Sequence, residues 1–293
     1  MLMRQGWAKK GWGVVEIIIE NNSQFITSTP LPAKGYARNA PRMPFDLQRY
    51  ESAGYGMVRA AVPALMLANM GEWLASAEKA ACQCSTEEQA RDLVYEKDLP
   101  DAGRNGVLAT EVGDAIFILG DLCRYAPQFS ALLRLPALVH ACTLALRCTE
   151  LVAHFMNATT KHPRFGRAIG WHRDFPNGYL SGTDSRFLRV MVCLDGMAEH
   201  GGATRFLPGS HRVDDGYAIA EKRGGAKHRY AAHHGVAAAC APGDLVLIHP
   251  KVIHGGPANT SDATRRNVIV QVGVAGMELV GERETVTGWS LTL

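Results

Sequence analysis

Two textures of apolar spacing divide the chain near Leu151. Upstream, apolar residues recur at helical intervals. The stretch Pro63 to Ala81, PALMLANMGEWLASAEKAA, predicts an amphipathic helix with proline near its start, because positions three and four apart share one face of a 3.6-residue turn. A second helix is predicted after Ser85. STEEQARDLVYE offers a hydroxyl cap and then acids in the first turn, where they face the positive end of the helix dipole. The run DAIFILGDLCRYAPQFSALLRLPALVHACTLALRC mixes helical spacing with Pro127 and Pro136 and predicts two or three more helices, so the first half is expected to be mostly helical.

Downstream, FLRVMVCLD, ATRFLPGSH, DLVLIHP and NVIVQVGV are short β-rich runs separated by Gly, Pro, Asn and Asp. Several short strands with turn punctuation imply a sandwich or jelly-roll barrel. Ahead of the helices, residues 1–45 are rich in Gly, Pro, Asn and Ser and read as an extended surface segment, with GVVEIIIE as an edge strand. The expected organisation is a single domain over 1–293. In it, 1–150 form a largely helical support and lid region, 151–275 the catalytic jelly-roll core and 276–293 a C-terminal extension.

Composition narrows the function classes. Lysine and arginine number 31 against 28 acids, without a concentrated basic face, which argues against nucleic acid as a partner. Nothing approaches the ~20 consecutive apolar residues of a membrane span. The apolar run near the N-terminus is short and broken by Glu16, unlike the core of a signal peptide. The 7 cysteines lack metal-finger spacing and read as reduced packing residues, so the expected location is the cytoplasm.

Candidate chemistry begins at GWHRDFPNGY. His172 and Asp174 lie two positions apart at a predicted strand end, where i and i+2 point to the same side. Alone, such a pair is either two metal ligands or a buried imidazole beside a turn aspartate. A ferrous facial triad needs two neutral imidazoles and one carboxylate, with positions left open. In CAPGDLVLIHPKVIHGGPANTSDATRRNVIVQV a Gly-Asp turn leads into an apolar strand ending in histidines, and His254 is placed to supply the third ligand from a facing sheet. Arg265, eleven positions later at the start of the next strand, is placed to hold a carboxylate bidentately. Its neighbour Arg266 must point to the opposite face. Arg265 is preferred because Asn267 shares its face.

The segments WHRD, GGATRFLPGSHR, GDLVLIHPKVIHG and RRNVIVQ, in this order over roughly Leu151 to Val274, resemble the phytanoyl-CoA dioxygenase superfamily of iron(II)- and 2-oxoglutarate-dependent oxygenases. The resemblance implies a mainly β fold with flanking α, a double-stranded β-helix (jelly-roll, cupin-like barrel) buttressed by N-terminal helices. It implies His172, Asp174 and His254 as the catalytic Fe(II) ligands and Arg265 as the grip on the distal carboxylate of 2-oxoglutarate. It also implies O2 as oxidant and release of succinate and CO2, with hydroxylation of an aliphatic C–H in an amino-acid derivative or specialised metabolite as the expected outcome. The intact Asp174 argues against a halogenase, in which a small residue admits halide. The strand HFMNATTK resembles one that contacts the co-substrate, and alternation puts Asn157, Thr159 and Lys161 on one face. Asn157 and Thr159 there either hydrogen-bond 2-oxoglutarate or serve the barrel core or a turn.

Other residues read more plainly. His249 and His211 are expected to be packing or structural imidazoles, and His200, His233 and His234 to be exposed. Trp171 is expected to pack rather than stack on substrate. Arg186, Arg189 and Arg205 are expected to be surface or salt-bridge residues, with contact to an acidic substrate as the alternative. The N-terminal helices and the loop DFPNGYLSGTDSRF are expected to cover the barrel mouth. Two rival readings stand beside the oxygenase: a cupin-type metalloenzyme that does not use 2-oxoglutarate, and a non-catalytic binding protein with a relic site.

Overall fold

The computed structural model describes residues 45–225, 228, 230, 231, 233–281 and 289–291. The extended segment and edge strand expected within residues 1–44 lie outside that range, as do parts of the C-terminal extension.

Upstream of Leu151 the helical spacing is realised in α1 (Leu47–Ala53), α2 (Ala64–Cys82), α3 (Thr86–Asp92), α4 (Leu122–Tyr125) and α5 (Pro136–Leu146), with a 3-10 segment at Pro127–Arg134. Pro63 caps α2, and Ser85 with Glu88 forms a reciprocal capping box on α3. The described part of this region is mostly helical as expected, but it also holds three short strands that the spacing does not predict: β1 (Tyr55–Val58), β2 (Leu93–Tyr95) and β3 (Ile116–Leu119). Apolar runs of three or four residues carry no usable period, and pairing decides them. Ile118 and Leu119 bond opposite Thr159 and Ala158 of β4 (Leu151–Lys161).

After β4 come β5 (Ile169–His172), β6 (Ser181–Gly182), β7 (Phe187–Cys193), β8 (Arg205–Phe206), helix α6 (Asp215–Arg223) and β9 (Val236–Ala237). The chain continues through β10 (Leu245–Ile248), β11 (His254–Gly256), β12 (Arg265–Val274), β13 (Leu279–Val280) and β14 (Trp289–Leu291). Among the described residues the larger antiparallel sheet runs β1-β10-β7-β12-β4-β3-β2, with β14 also on β4, and a smaller one runs β5-β11-β8-β9. This is the mainly β, jelly-roll architecture expected, with open rather than closed sheets.

Alternation in β12 explains the layering. Val268, Val270 and Val272 are fully buried against the helices, together with Val190 and Val192 of β7 and Leu245 and Leu247 of β10. Met70, Leu74, Phe129 and Leu138 meet them from the helical layer. At ~1.5–3 kcal/mol for each large apolar side chain removed from water, this layer is the main stabilising contact of the fold. These helical residues therefore pack on the outer face of the large sheet. The other face carries Arg265, Asn267, Ile269 and Gln271 from β12. Met191, Cys193, Val246, Ile248 and Ile269 there join Phe206 of the small sheet in a second apolar cluster between the sheets.

A bulge reshapes β4. Phe155 pairs with Gln271 and Ala153 with Val272, which leaves His154 as an extra residue. His154 leans over Gly273, where an added Cβ would lie 2.4 Å from its Cε1. Among the described residues no single helix is long and apolar enough to cross a membrane.

Candidate metal and co-substrate site

His172 ends β5 and His254 begins β11, and the two are direct partners in one antiparallel pair. His254 thus comes from the neighbouring strand of the same small sheet, not from a facing one. Strand pairing fixes the imidazoles with ring centroids 4.3 Å apart. Each ring is also tied down from behind: His172 Nδ1 lies 2.8 Å from Gly170 O and His254 Nδ1 3.0 Å from Val252 O. A carbonyl only accepts, so both Nδ1 atoms carry the proton and both Nε2 lone pairs are left bare.

Asp174 completes the group. Its Oδ1 is 3.6 Å from His172 Nε2 and its Oδ2 is 3.7 Å from His254 Nε2, and one donor atom from each residue falls within 4.8 Å of the others. The Asp174 side chain is 2% exposed and that of His172 41%, so the group opens to solvent on the His172 side. Oδ2 is buried without a hydrogen-bond partner. Burial alone would push the Asp174 carboxyl upward, but Arg189, His254 and His172 together hold it well below the usual carboxylate range. Burial, with His172 nearby, lowers His254 to about 4, so it is neutral at physiological pH. Two Nε2 atoms facing away from their carbonyl partners, together with an ionised carboxylate oxygen that lacks a hydrogen-bond partner, fit a divalent cation.

Arg173, between His172 and Asp174, points away and anchors the segment. Its Nε donates to Glu221 Oε2 at 2.7 Å and its Nη1 to Ser210 O at 2.6 Å and to Lys251 O. These bonds fix the backbone between His172 and Asp174.

On the facing large sheet, Arg265 is 4% exposed, and Arg266 instead forms an outward pair with Asp195 at 2.7 Å. Arg265 Nε has no partner, and no carboxylate among the described residues lies within ion-pair distance of it. With its amide oriented to donate to Arg266 O, Asn267 accepts from Arg265 Nη1 at 3.2 Å. Burial lowers Arg265 to about 10, which leaves it a cation at neutral pH. Register places Lys161 opposite Arg265, Thr159 opposite Asn267 and Asn157 opposite Ile269, all on the inner face. Asn157 Oδ1 is buried and unpartnered there.

His249, His211, His200, His233 and His234 follow expectation. His249 Nδ1 accepts from Lys251 N at 3.1 Å, and His211 Nε2 meets Glu51 O at 3.1 Å. His200, His233 and His234 are exposed. Trp171 packs edge-on to Tyr230 at 5.7 Å. Arg186 pairs with Asp184, and Arg205 is held by Glu199 and the carbonyls of His233, His234 and Gly235. In the loop after Asp174, Tyr179 packs edge-on to the inward-facing Phe155 at 5.4 Å, so this loop does cover the inner face.

Arg189, expected on the surface or in a salt bridge, forms an ion pair with a buried carboxylate: the Nη1 of its half-buried side chain is 3.0 Å from Asp174 Oδ1. The available signal was an arginine in step with Phe187 and Met191 inside the apolar run FLRVMVC. Gln271 and His154, buried 3.5 Å apart on the same inner face, were also missed.

Residues 50–267 match the phytanoyl-CoA dioxygenase (PhyH) family, and the chain belongs to it. No curated protein sequence matches. Among solved structures, EctD from S. alaskensis with bound Fe is 20% identical, covering 86% of this chain and 85% of that one at a TM-score of 0.61. The non-heme alpha ketoglutarate dependent carbocyclase SnoK from nogalamycin biosynthesis is 17% identical, with 81% and 86% covered and a TM-score of 0.58. EvdMO1 is 18% identical at a TM-score of 0.57; 78% of this chain is covered, but it spans only 49% of that protein. These likenesses concern the fold.

Proposed function

We propose that this member of the phytanoyl-CoA dioxygenase family is a non-haem Fe(II)- and 2-oxoglutarate-dependent oxygenase that hydroxylates an aliphatic C–H bond of a small molecule, an amino-acid derivative or specialised metabolite. The observation that carries the reading is a pair of complementary groups facing each other across the two sheets. One is the bare donor set of His172, Asp174 and His254 on the small sheet; the other is the buried, acid-free Arg265 on the large one. The first calls for a cation and the second for a carboxylate, and a metal-chelating dicarboxylate satisfies both. The EctD and SnoK descriptions, naming Fe and alpha ketoglutarate for those proteins, support the same pairing.

In this reading His172 Nε2, His254 Nε2 and an Asp174 oxygen would hold Fe(II), which would supply the redox chemistry that couples O2 and the conversion of 2-oxoglutarate to succinate and CO2 with oxidation of the substrate. Arg265 anchors the co-substrate's far carboxylate, and Thr159 and Asn157 hydrogen-bond it from the adjacent strand. Backing bonds from Gly170 O and Val252 O hold both imidazoles in the donor tautomer. The Tyr179 loop limits water entry over Phe155 and helps to place the substrate C–H bond.

The test is O2-dependent conversion of 2-oxoglutarate to succinate across a panel of amino-acid derivatives and polycyclic or glycosylated metabolites, with product mass recorded. A substrate that stimulates succinate release and gains one oxygen atom supports hydroxylation. A stimulating substrate that changes without gaining oxygen directs the chemistry to ring closure or epimerisation. Turnover independent of 2-oxoglutarate returns the protein to the cupin-type alternative.

A further inference from the structure

Alternation in β7 turns Phe187, Arg189, Met191 and Cys193 to the inner face, and Arg189 is flanked by Gln271 of β12 and Ile248 of β10. Arg189 Nη1 lies 3.0 Å from Asp174 Oδ1, with side-chain exposures of 19% and 2%. The pair spans the space between the two sheets and makes the carboxylate oxygens inequivalent: Oδ1 is engaged, while Oδ2 is buried without a hydrogen-bond partner beside His254 Nε2.

We propose that Arg189 is a positioning residue for the metal site: it engages Oδ1, which also lies 3.6 Å from His172 Nε2, and leaves the unpartnered Oδ2, 3.7 Å from His254 Nε2, as the single oxygen through which Asp174 binds the metal. The inference rests on the reading that His172, Asp174 and His254 hold a divalent metal. A carboxylate that binds through one oxygen would leave more of the metal's positions free for a chelating co-substrate than one that binds through both.

Charge and position give opposite signs when Arg189 is replaced. Removing a cation near a dication relieves repulsion and tightens metal binding; releasing the carboxylate from its oriented state weakens it. The test is Mn(II) binding to the full chain, read by electron paramagnetic resonance of the free ion without any turnover. In Arg189→Met the Mn(II) Kd is expected to rise about 10–100-fold, the usual effect of losing a partner behind a metal ligand. Arg189→Lys, with the charge kept but the planar fork lost, is expected to fall between Met and wild type. A rise smaller than tenfold in Arg189→Met, or tighter binding, overturns the inference and leaves Arg189 as charge balance for Asp174. Should Arg189→Met not fold, Arg189→Lys carries the test: a several-fold weaker Kd supports positioning and a wild-type Kd overturns it. A wild-type protein that does not bind Mn(II) at all sinks the metal reading itself, a different result from a wild-type site that binds and a variant that binds equally well.

Discussion

Lys161 and Arg265 stand directly opposite each other across the β4–β12 pair, both almost wholly buried. Lys161 Nζ donates to Gly202 O at 3.1 Å and also to Pro257 O, and no carboxylate among the described residues lies within ion-pair distance of either cation. Burial, reinforced by Arg265, pushes the Lys161 ammonium well below its usual range. A buried cationic end without a counter-ion is costly until an anion arrives. In the proposed function that anion is the far carboxylate of 2-oxoglutarate.

Arg265→Ala is therefore expected to weaken 2-oxoglutarate binding at least about thirtyfold, from ~2 kcal/mol or more for truncating one partner of a buried charge pair. Arg266→Ala, which removes only the pair with Asp195, is expected to leave that affinity within about twofold. Titration of the co-substrate onto each metal-loaded variant checks both. The reverse ranking would put the anchor on the other face of β12.

Mn(II) binding is expected to be lost in His172→Ala and in His254→Ala with little loss of fold, since each removes a bare Nε2 donor. Isothermal titration with Mn(II), alongside a melting curve of the metal-free protein, separates the two effects. Binding retained in both variants would break the assignment of the trio.

The metal-free protein is expected to lose stability as pH falls from about 6.5 toward 4. Burial lowers His154 to about 4 and His249 to about 3, so the unfolded chain takes up these protons first and folding free energy drops with falling pH. That contribution is fully present above the unfolded value and is lost on passing down through the folded one. His211, Lys251 and Arg173 add to the His249 shift and Asp215 opposes it. His249→Asn, whose Oδ1 can replace Nδ1 as acceptor for Lys251 N, is expected to flatten the slope of melting temperature against pH. An unchanged slope would refute the role given to His249.

Gly273→Ala is expected to cost about 1–3 kcal/mol, because its Cβ would meet His154 Cε1 at 2.4 Å and Met277 Cε at 2.9 Å. His154→Ala in the same chain should recover part of that loss. Denaturant midpoints of the two single variants and the double variant give the comparison, and strict additivity would show that the contact is not the cause.

The sequence made the inner-face chemistry legible where a period could be counted. Arg265 and Asn267 share a face by alternation, and α2 and the cap of α3 follow from spacing and Ser85. It was silent where pairing rather than local pattern decides. Leu93–Tyr95 and Ile116–Leu119 become strands because β4 offers an open edge, and His154 faces inward because a bulge offsets the register. Arg189 was hidden for the same reason: its carboxylate partner is fifteen positions away in sequence, and only the approach of the two sheets brings them together.

The central claim is that one site binds Fe(II) and 2-oxoglutarate together. Its most direct test is an anaerobic titration of the metal-free protein with Fe(II) and then 2-oxoglutarate, watching the visible metal-to-ligand charge-transfer absorption of the chelate. The account predicts a saturable band in wild type that is absent in His172→Ala and needs far more 2-oxoglutarate in Arg265→Ala. A folded wild-type protein that gives no band at saturating Fe(II) and 2-oxoglutarate would contradict it.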